Sequence, residues 1–452
     1  MRHMLAKGMT VVSGRPGERQ GRVGDFLGSG GQGEVYRVTR GNEALALKWY
    51  DPEYLRRDPG LIPRLDRIIA AGPPSDRFLW PLERVTVSGV LGEGYLMPLR
   101  EPRFRGLSEL MRRRIEPSFR VLATAGFELA HNYLQLHAKG FCYRDISFGN
   151  VFFDPKSGEI RICDNDNVDV DGQAGHIEGT MRFMAPEIIR GESGPCIETD
   201  LFSLAVLLFY LLVVHHPLEG ERELRIRCLD MAAMRELYGM NPLFIFDPHD
   251  PGNRPVAGSH DNALAFWPLY PRWLQELFAR SFGDLRRCRS GRRVRESEWR
   301  RAMVVLRDAI VYCSACGAEN FFDAATGKST GHRPGYCWSC RRKIMLPAFV
   351  KIGSDAAALN HDTVLYPHHL VRGRLYDFSM PAARMERHPS EKNLWGLKNL
   401  GPDKWTAVQP DGRVKDVHVG ASVRLKRGMT IHFAGAAGEV ILPESHVPRL
   451  EG

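Results

Sequence analysis

Tyr143-Arg144-Asp145-Ile146-Ser147-Phe148-Gly149-Asn150 is the stretch on which the reading of this 452-residue chain turns. An aspartate follows an arginine and stands five residues before an asparagine. Downstream, Ile160-Arg161-Ile162-Cys163-Asp164 reads as a short strand ending in an acid, followed by Asn165-Asp166. Upstream, Gly28-Ser29-Gly30-Gly31-Gln32-Gly33-Glu34-Val35 spaces its glycines so that backbone can approach phosphates without side-chain clashes. A dinucleotide-binding fold would require a helix immediately after such glycines. Here Glu34 to Thr39 reads as a strand, Gly41-Asn42 as a turn, and Ala44-Leu45-Ala46-Leu47-Lys48 as a second strand. Strand, turn, strand suits a glycine loop lying over a nucleotide within a hairpin. Lys48 closes the second strand, where its ammonium can pair with α- and β-phosphates.

Taken in order, these segments resemble the protein kinase superfamily over roughly residues 21–310. The resemblance implies an α+β, bilobal fold with an N-lobe over 21–102 and a C-lobe over 103–310. It implies that Asp145 orients a substrate hydroxyl and accepts its proton, and that Asn150 and Asp164 ligate Mg²⁺ (or Mn²⁺) on the phosphates of ATP. Gly179-Thr180-Met181-Arg182-Phe183-Met184-Ala185-Pro186-Glu187 matches the end of an activation segment, with Thr180 as the Ser/Thr-kinase contact to Asp145. Asp200 corresponds to a buried structural aspartate. Arg293 is the expected partner of Glu187, with Arg292 competing. Gly28, Ser29, Gly30, Gly31, Gln32, Gly33, Val35, Ala46 and Lys48 are the expected nucleotide contacts, with Met97 and Leu99 holding adenine at a hinge.

Several positions depart from the family pattern. Tyr143 replaces the usual histidine, Ser147 replaces a lysine, and Asn165-Asp166 replaces Phe-Gly. The acidic partner of Lys48 is sought in Asp66, with Glu53 as the other candidate. Between Asp166 and Gly179 there is no Ser, Thr or Tyr, but there are Asp169, Asp171 and Glu178. One of these carboxylates is expected to give Arg144 the fixed negative charge that a phosphate supplies in many kinases, the alternative being that the acids face water and Arg144 bonds to backbone carbonyls. The alternative functions are a nucleotide-binding pseudokinase scaffold and a zinc-ribbon nucleic-acid binder.

Composition sets outer bounds. The apolar fraction of 43% and charged fraction of 25% are those of an ordinary globular chain. Met1 to Thr10 lacks the apolar core of a signal peptide, so a cytoplasmic protein is expected. The apolar run Leu201 to Val214 is too short to span a bilayer and reads as a buried helix. The net charge of +9 is modest for this length and reads first as a solvated basic face, then as a surface for an acidic protein or peptide partner, with nucleic acid last. Nine cysteines, an odd count in a long chain, do not read as a disulfide framework.

Residues 1–20 read as a loose lead-in. Cys313-Ser-Ala-Cys316 and Cys337-Trp-Ser-Cys340 are two Cys-x₂-Cys pairs separated by twenty residues, the pattern of a closed structural Zn²⁺ site in a ribbon over 311–350. Residues 356–452 carry short β-type runs and turns, and read as a small all-β unit. Gly396 to Phe433 resembles the second half of a forkhead-associated sandwich; Arg387 and Ser390 are its candidates for gripping phosphothreonine, although packing or plain interaction is the expected role. The full combination resembles the bacterial kinases of the tellurite-resistance-associated phosphorylation triad. That resemblance implies a protein substrate, a von Willebrand A-type protein and a PP2C-type phosphatase as partners.

Overall fold

The structure is a computed structural model describing residues 3–14, 20–173, 179–283, 285, 293–324, 326–371, 374, 376–391 and 394–443. The chain divides into two compact units: residues 1–266 with 276–301, and residues 267–275 with 302–452.

The first unit begins with a closed antiparallel barrel of six strands in the order β1-β2-β3-β4-β6-β5: β1 Thr10–Ser13, β2 Gly21–Gly30, β3 Gly33–Arg40, β4 Glu43–Tyr50, β5 Glu83–Val87 and β6 Val90–Pro98. Period-two alternation points Val23, Tyr36, Val38, Leu45, Leu47 and Val85 into one apolar core. Residues 1–20 are not a loose lead-in throughout. β1 pairs with both β2 and β5 and so closes the barrel, and Leu5 is buried. The reason is that β5 and β2 would otherwise be open edges with unpaired backbone groups. Between β4 and β5 lie α1 Pro52–Arg57, capped by the Asp51 carboxylate, and α2 Leu61–Ala71.

Helices dominate after residue 106. Ser118 Oγ accepts the Val121 amide and starts a twenty-residue helix, Phe119–Ala138. It packs on Ile197–Val213, a helix apolar nearly all round and therefore buried nearly all round. The run Leu201 to Val214 thus lies in a buried helix, as expected. No helix among the described residues is long and apolar enough to cross a membrane.

Between these helices runs the loop quoted first. Its amides at Tyr143 and Arg144 both donate to the carboxylate of Asp200, which is buried. His137 bridges the same carboxylate, at 3.2 Å, to Glu296, so three helices and the loop meet in one buried polar cluster.

In the second unit, strands Ile310–Tyr312, Glu319–Asp323 and Lys328–Ser329 form a small sheet. Two further antiparallel sheets, of six and four strands, enclose a core that includes Val350, Leu397, Trp405, Ala407 and Ile431. Val311, Cys313, Cys337, Ile344, Phe349 and Ala358 form one buried cluster, so residues 311–350 and the β-rich stretch after them share apolar packing. The unit begins at Ala302, ahead of the expected break at 310, because Asp308 pairs with His369 at 3.1 Å and the Ile310 carbonyl accepts from Asn360 at 2.7 Å. The tyrosine ring of Tyr270 lies 5.3 Å from that of Phe321, which draws residues 267–275 into the same unit. Arg387 and Ser390 are both exposed, three residues apart on and just after the strand Ala383–Arg387.

The buried imidazole gives the first unit a pH window. Burial depresses the His137 pKa, but Asp200 and Glu296 outweigh it and raise the value from 6.5 to about 9. The stability this histidine contributes is full below pH 6.5 and is lost as the pH rises through about 9. Urea unfolding across this range should show a loss of up to roughly 3 kcal/mol in the wild type. A His137→Gln variant should show a flatter profile and lower stability at pH 6.

Candidate active site

The strand register builds the site. Val35 pairs with Lys48 across β3 and β4, and Ala46 pairs with Met97 across β4 and β6. The β2–β3 turn hangs over these positions. Gly28, Gly30 and Gly31 face open space, whereas Gly33 is required by contact: a Cβ there would lie 2.1 Å from the Trp49 carbonyl oxygen. Below the turn is a cavity of about 770 Å³. Every nucleotide contact expected from the sequence lines it, from Gly28 to Gly33 through Val35, Ala46, Lys48, Met97 and Leu99. Asp145 and Asp164 line its far wall.

Asn150 and Thr180 lie behind that wall and act on Asp145. The Thr180 amide and hydroxyl donate to Asp145 Oδ1 at 3.1 and 3.2 Å. The Asn150 amide nitrogen donates to the Asp145 carbonyl at 2.9 Å and to its Oδ2 at 3.1 Å. Burial raises the Asp145 pKa above the ordinary carboxylate value, and these hydrogen bonds only partly oppose it. A carboxylate that is more basic than usual and fixed by neutral donors is suited to accept a proton.

Asp164 adopts left-handed backbone, with φ 49° and ψ 43°, and starts a single 3-10 turn, Asn165–Asn167. Its carboxylate stays 40% exposed toward the cavity, 3.3 Å from Lys48 Nζ. The turn throws Asp166 inward, where it is fully buried. Lys48 Nζ reaches both oxygens of Asp166, at 2.9 and 3.0 Å. The expectation that Asp66 or Glu53 pairs with Lys48 is therefore corrected. Asp66 lies 2.7 Å from Arg84, and Glu53 lies 2.7 Å from Arg57. Physically, α2 turns Leu61, Arg64, Leu65 and Ile68 inward, so Asp66 falls on its solvent face. Burial by itself would lower the Lys48 pKa, but Asp164 and Asp166 raise it above the usual lysine value.

The departures in the loop also find partners. The Tyr143 hydroxyl donates to the Cys163 carbonyl, tying the loop to the strand before Asp164. Ser147 is buried, and its carbonyl accepts the Asn150 amide at 3.2 Å. Of the three carboxylates proposed for Arg144, Asp169 meets it at 3.1 Å. Asp171 accepts the Ile197 amide instead, and Glu178 lies outside the described residues. Burial and the nearby Arg64 hold the Arg144 pKa below the usual value, with Asp169 opposing them. Arg293 pairs with Glu187 at 2.6 Å, and Arg292 lies outside the described residues.

In the second unit, Cys313, Cys316, Cys337 and Cys340 bring their sulfurs within 4.8 Å of one another. The Cys313–Cys340 and Cys316–Cys337 separations are 3.6 and 3.7 Å. A tetrahedron of sulfurs about 2.3 Å from a zinc ion has edges of about 3.8 Å, so the donor set fits that ion.

Residues missed in the sequence reading are Asp166, Tyr50 and Tyr95, which gather around Lys48, and Arg64, which holds the Asp166 carbonyl. No local signal singles out Asp166; the α2 pattern shows only that Asp66 falls on its exposed face.

Residues 110–257 match the family model for the protein kinase domain. The chain is 36% identical to mouse protein kinase C delta type over 92 residues, 20% of this chain and 13% of the relative. It is 29% identical to the CBL-interacting protein kinase 4 of Oryza sativa subsp. japonica over 210 residues, 44% of this chain and 45% of the relative. It is 31% identical to the cell cycle serine/threonine-protein kinase CDC5/MSD2 of Saccharomyces cerevisiae over 143 residues, 29% of this chain and 20% of the relative. The chain thus spans less than half the length of these relatives. Together the matches liken residues 110–257 and their surroundings to the kinase domains of Ser/Thr protein kinases.

The Arg144–Asp169 pair can be tested by stability. Asp169→Asn leaves a buried guanidinium without its countercharge and should cost about 3 kcal/mol in urea unfolding. Asp171→Asn keeps an oxygen for the Ile197 amide and should stay within about 0.5 kcal/mol of the wild type.

Proposed function

We propose that this protein is an ATP- and Mg²⁺-dependent kinase that transfers the γ-phosphate of ATP to Ser or Thr hydroxyls of a protein. The observation that carries the reading is the grip of Thr180 on Asp145, by amide and hydroxyl, at the wall of the cavity that Lys48 and Asp164 also line. A base, a phosphate-anchoring cation and a partly exposed carboxylate thus face one nucleotide-sized space.

The donor chemistry fits the cofactor. Asp164 keeps its carboxylate open to the cavity, and Asn150 engages Asp145 through nitrogen, which leaves its amide oxygen for a cation. When bound, Mg²⁺ supplies charge neutralisation on the phosphate oxygens. The chain's own groups do the rest. The glycine turn brings backbone close to the phosphates, and Lys48 holds the α- and β-phosphates. Ala46, Met97 and Leu99 enclose the base. Asp145 orients the Ser or Thr hydroxyl and takes its proton as the oxygen bonds to the γ-phosphorus and ADP leaves. Thr180 keeps the carboxylate turned toward the acceptor, and its hydroxyl distinguishes the Ser/Thr reading.

Within this reading the four cysteines hold a structural Zn²⁺. The closed thiolate set leaves no position for a substrate. Backbone amides at Ala315 and Cys316 offset burial at Cys313 and bring its thiol to about 7, which favours the thiolate a metal needs. The C-terminal β-rich stretch is read as a forkhead-associated-like interaction domain. By the likeness of the whole combination to the tellurite-resistance triad kinases, a von Willebrand A-type protein and a PP2C-type phosphatase are the proposed partners.

Radiolabelled ATP incubated with the purified protein tests the chemistry. Label transfer should fall by a factor on the order of 10² to 10⁴ in Asp145→Ala, and comparably in Asp164→Ala. Equal transfer in all three proteins would sink the assignment. Nucleotide binding with no transfer would favour the scaffold reading, and tight, salt-sensitive DNA binding without turnover the nucleic-acid reading.

Elemental analysis tests the metal. One zinc per chain is expected, lost in Cys337→Ser, with a lower melting temperature for the second unit. A metal-free protein of unchanged stability contradicts it.

A further inference from the structure

A lysine that anchors phosphates must itself be held, because four methylenes leave its ammonium free to wander. Lys48 is 4% exposed, so its charge also requires a countercharge out of water. The helix beside it does not provide one. The single acid of α2 is Asp66, which is paired with Arg84. Where a helix carboxylate could have reached inward stands Arg64, a cation only 5% exposed. Arg64 does not approach Lys48. It turns to Asp58, at 2.8 Å, and donates through Nε to the Asp166 backbone carbonyl at 3.0 Å.

The Asp166 carboxylate is saturated from inside the protein. It receives Lys48 on both oxygens, the Tyr50 hydroxyl at 2.8 Å and the Tyr95 hydroxyl at 3.1 Å. With no exposure and four donor contacts, it has no lone pair directed at a cation or a substrate in the cavity. Its one open task is to position the lysine. The same turn reaches the glycine loop: Gln32 accepts from Lys48 and donates to Asn167 Oδ1 at 3.0 Å.

We infer that Asp166 is the positioning residue for Lys48, in place of a carboxylate on α2, so that the lysine, the glycine loop and Asp164 are all set by one turn, Asp164 to Asn167. The inference rests on the reading of Lys48 as the phosphate anchor. Its consequence is regulatory as well as structural. A movement of α2 away from the barrel would not unpair Lys48, because the countercharge travels with Asp164. What α2 senses is the position of the turn, through the Arg64 contact to backbone. The turn also carries the break with the family pattern: an aspartate occupies the position where a glycine is usual, and it is this residue that is buried against Lys48.

A double-mutant cycle separates this from a general packing role. ADP affinity is measured in EDTA with the full-length protein, so the readout needs neither metal nor phosphoryl transfer. Lys48→Met and Asp166→Asn should each weaken ADP binding by about tenfold. The double variant should be no weaker than the weaker single variant. Asp66→Asn and Glu53→Gln should bind as the wild type does. If Asp166→Asn does not fold, Tyr50→Phe/Tyr95→Phe keeps the packing while removing two of the donors. Its smaller loss of affinity should disappear in the Lys48→Met background. Independent effects that multiply in the double variant, or a loss caused by Asp66→Asn, overturn the inference. Failure of label transfer from ATP, with the coupling intact, would refute the kinase reading and leave this one standing.

Discussion

An ammonium and a carboxylate, both withdrawn from water, join the barrel to the helical part of the first unit: Lys48 on β4 and Asp166 on the turn after Asp164. Removing two charges from water is costly, and their attraction offsets this only when the remaining hydrogen-bonding capacity is met. Here it is met by Tyr50 and Tyr95, both from the barrel, whose rings also pack at 5.9 Å. The barrel therefore fixes where the turn sits. The turn fixes Asp164, and its neighbour Asn167 holds the glycine loop through Gln32. Displacing any one of these groups would leave a buried charge exposed to an apolar environment.

The opposite wall of the cavity depends on a second buried carboxylate. Asp200 projects from the apolar helix and takes the backbone amides of Tyr143 and Arg144. This removes the loop's freedom without using any side chain that faces the cavity. Tyr143 then closes the gap to Cys163, and Arg144 is drawn inward to Asp169. The Arg144 guanidinium keeps two buried nitrogens without hydrogen-bond partners among the described residues. Polar groups of this kind are tolerated where a loop is held by other means, and here Asp200 holds it.

The second unit is built differently. Its sulfurs and its β-sheets belong to overlapping apolar clusters, with Phe349 and Ala358 packing beside Cys313 and Cys337. The rings of Phe322 and Phe349 pack in a tilted pair at 4.3 Å, which ties the strand between the cysteine pairs to the first long strand after them. A ribbon and a β domain that read as separate segments along the chain are thus one packed body.

Much of the first unit was legible because its chemistry is local. The glycine spacing at 28–33, the aspartate-to-asparagine spacing at 145–150, and the apolar run from Leu201 each report on backbone within a few residues, where spacing and geometry are linked directly. The cysteine pairs were legible for the same reason, since two residues between sulfurs leave few conformations. The partner of Lys48 was not legible. Asp166 is 118 residues away, and nothing local distinguishes it from Asp66 as an acid. Only the packed structure decides that α2 presents Arg64 inward, that two tyrosines from different strands converge on one carboxylate, and that β1 is needed to close the barrel. The sequence by itself indicated which groups would line the cavity. The tertiary structure decided which charges are paired, because pairing depends on burial, and burial is a property of the whole packed chain.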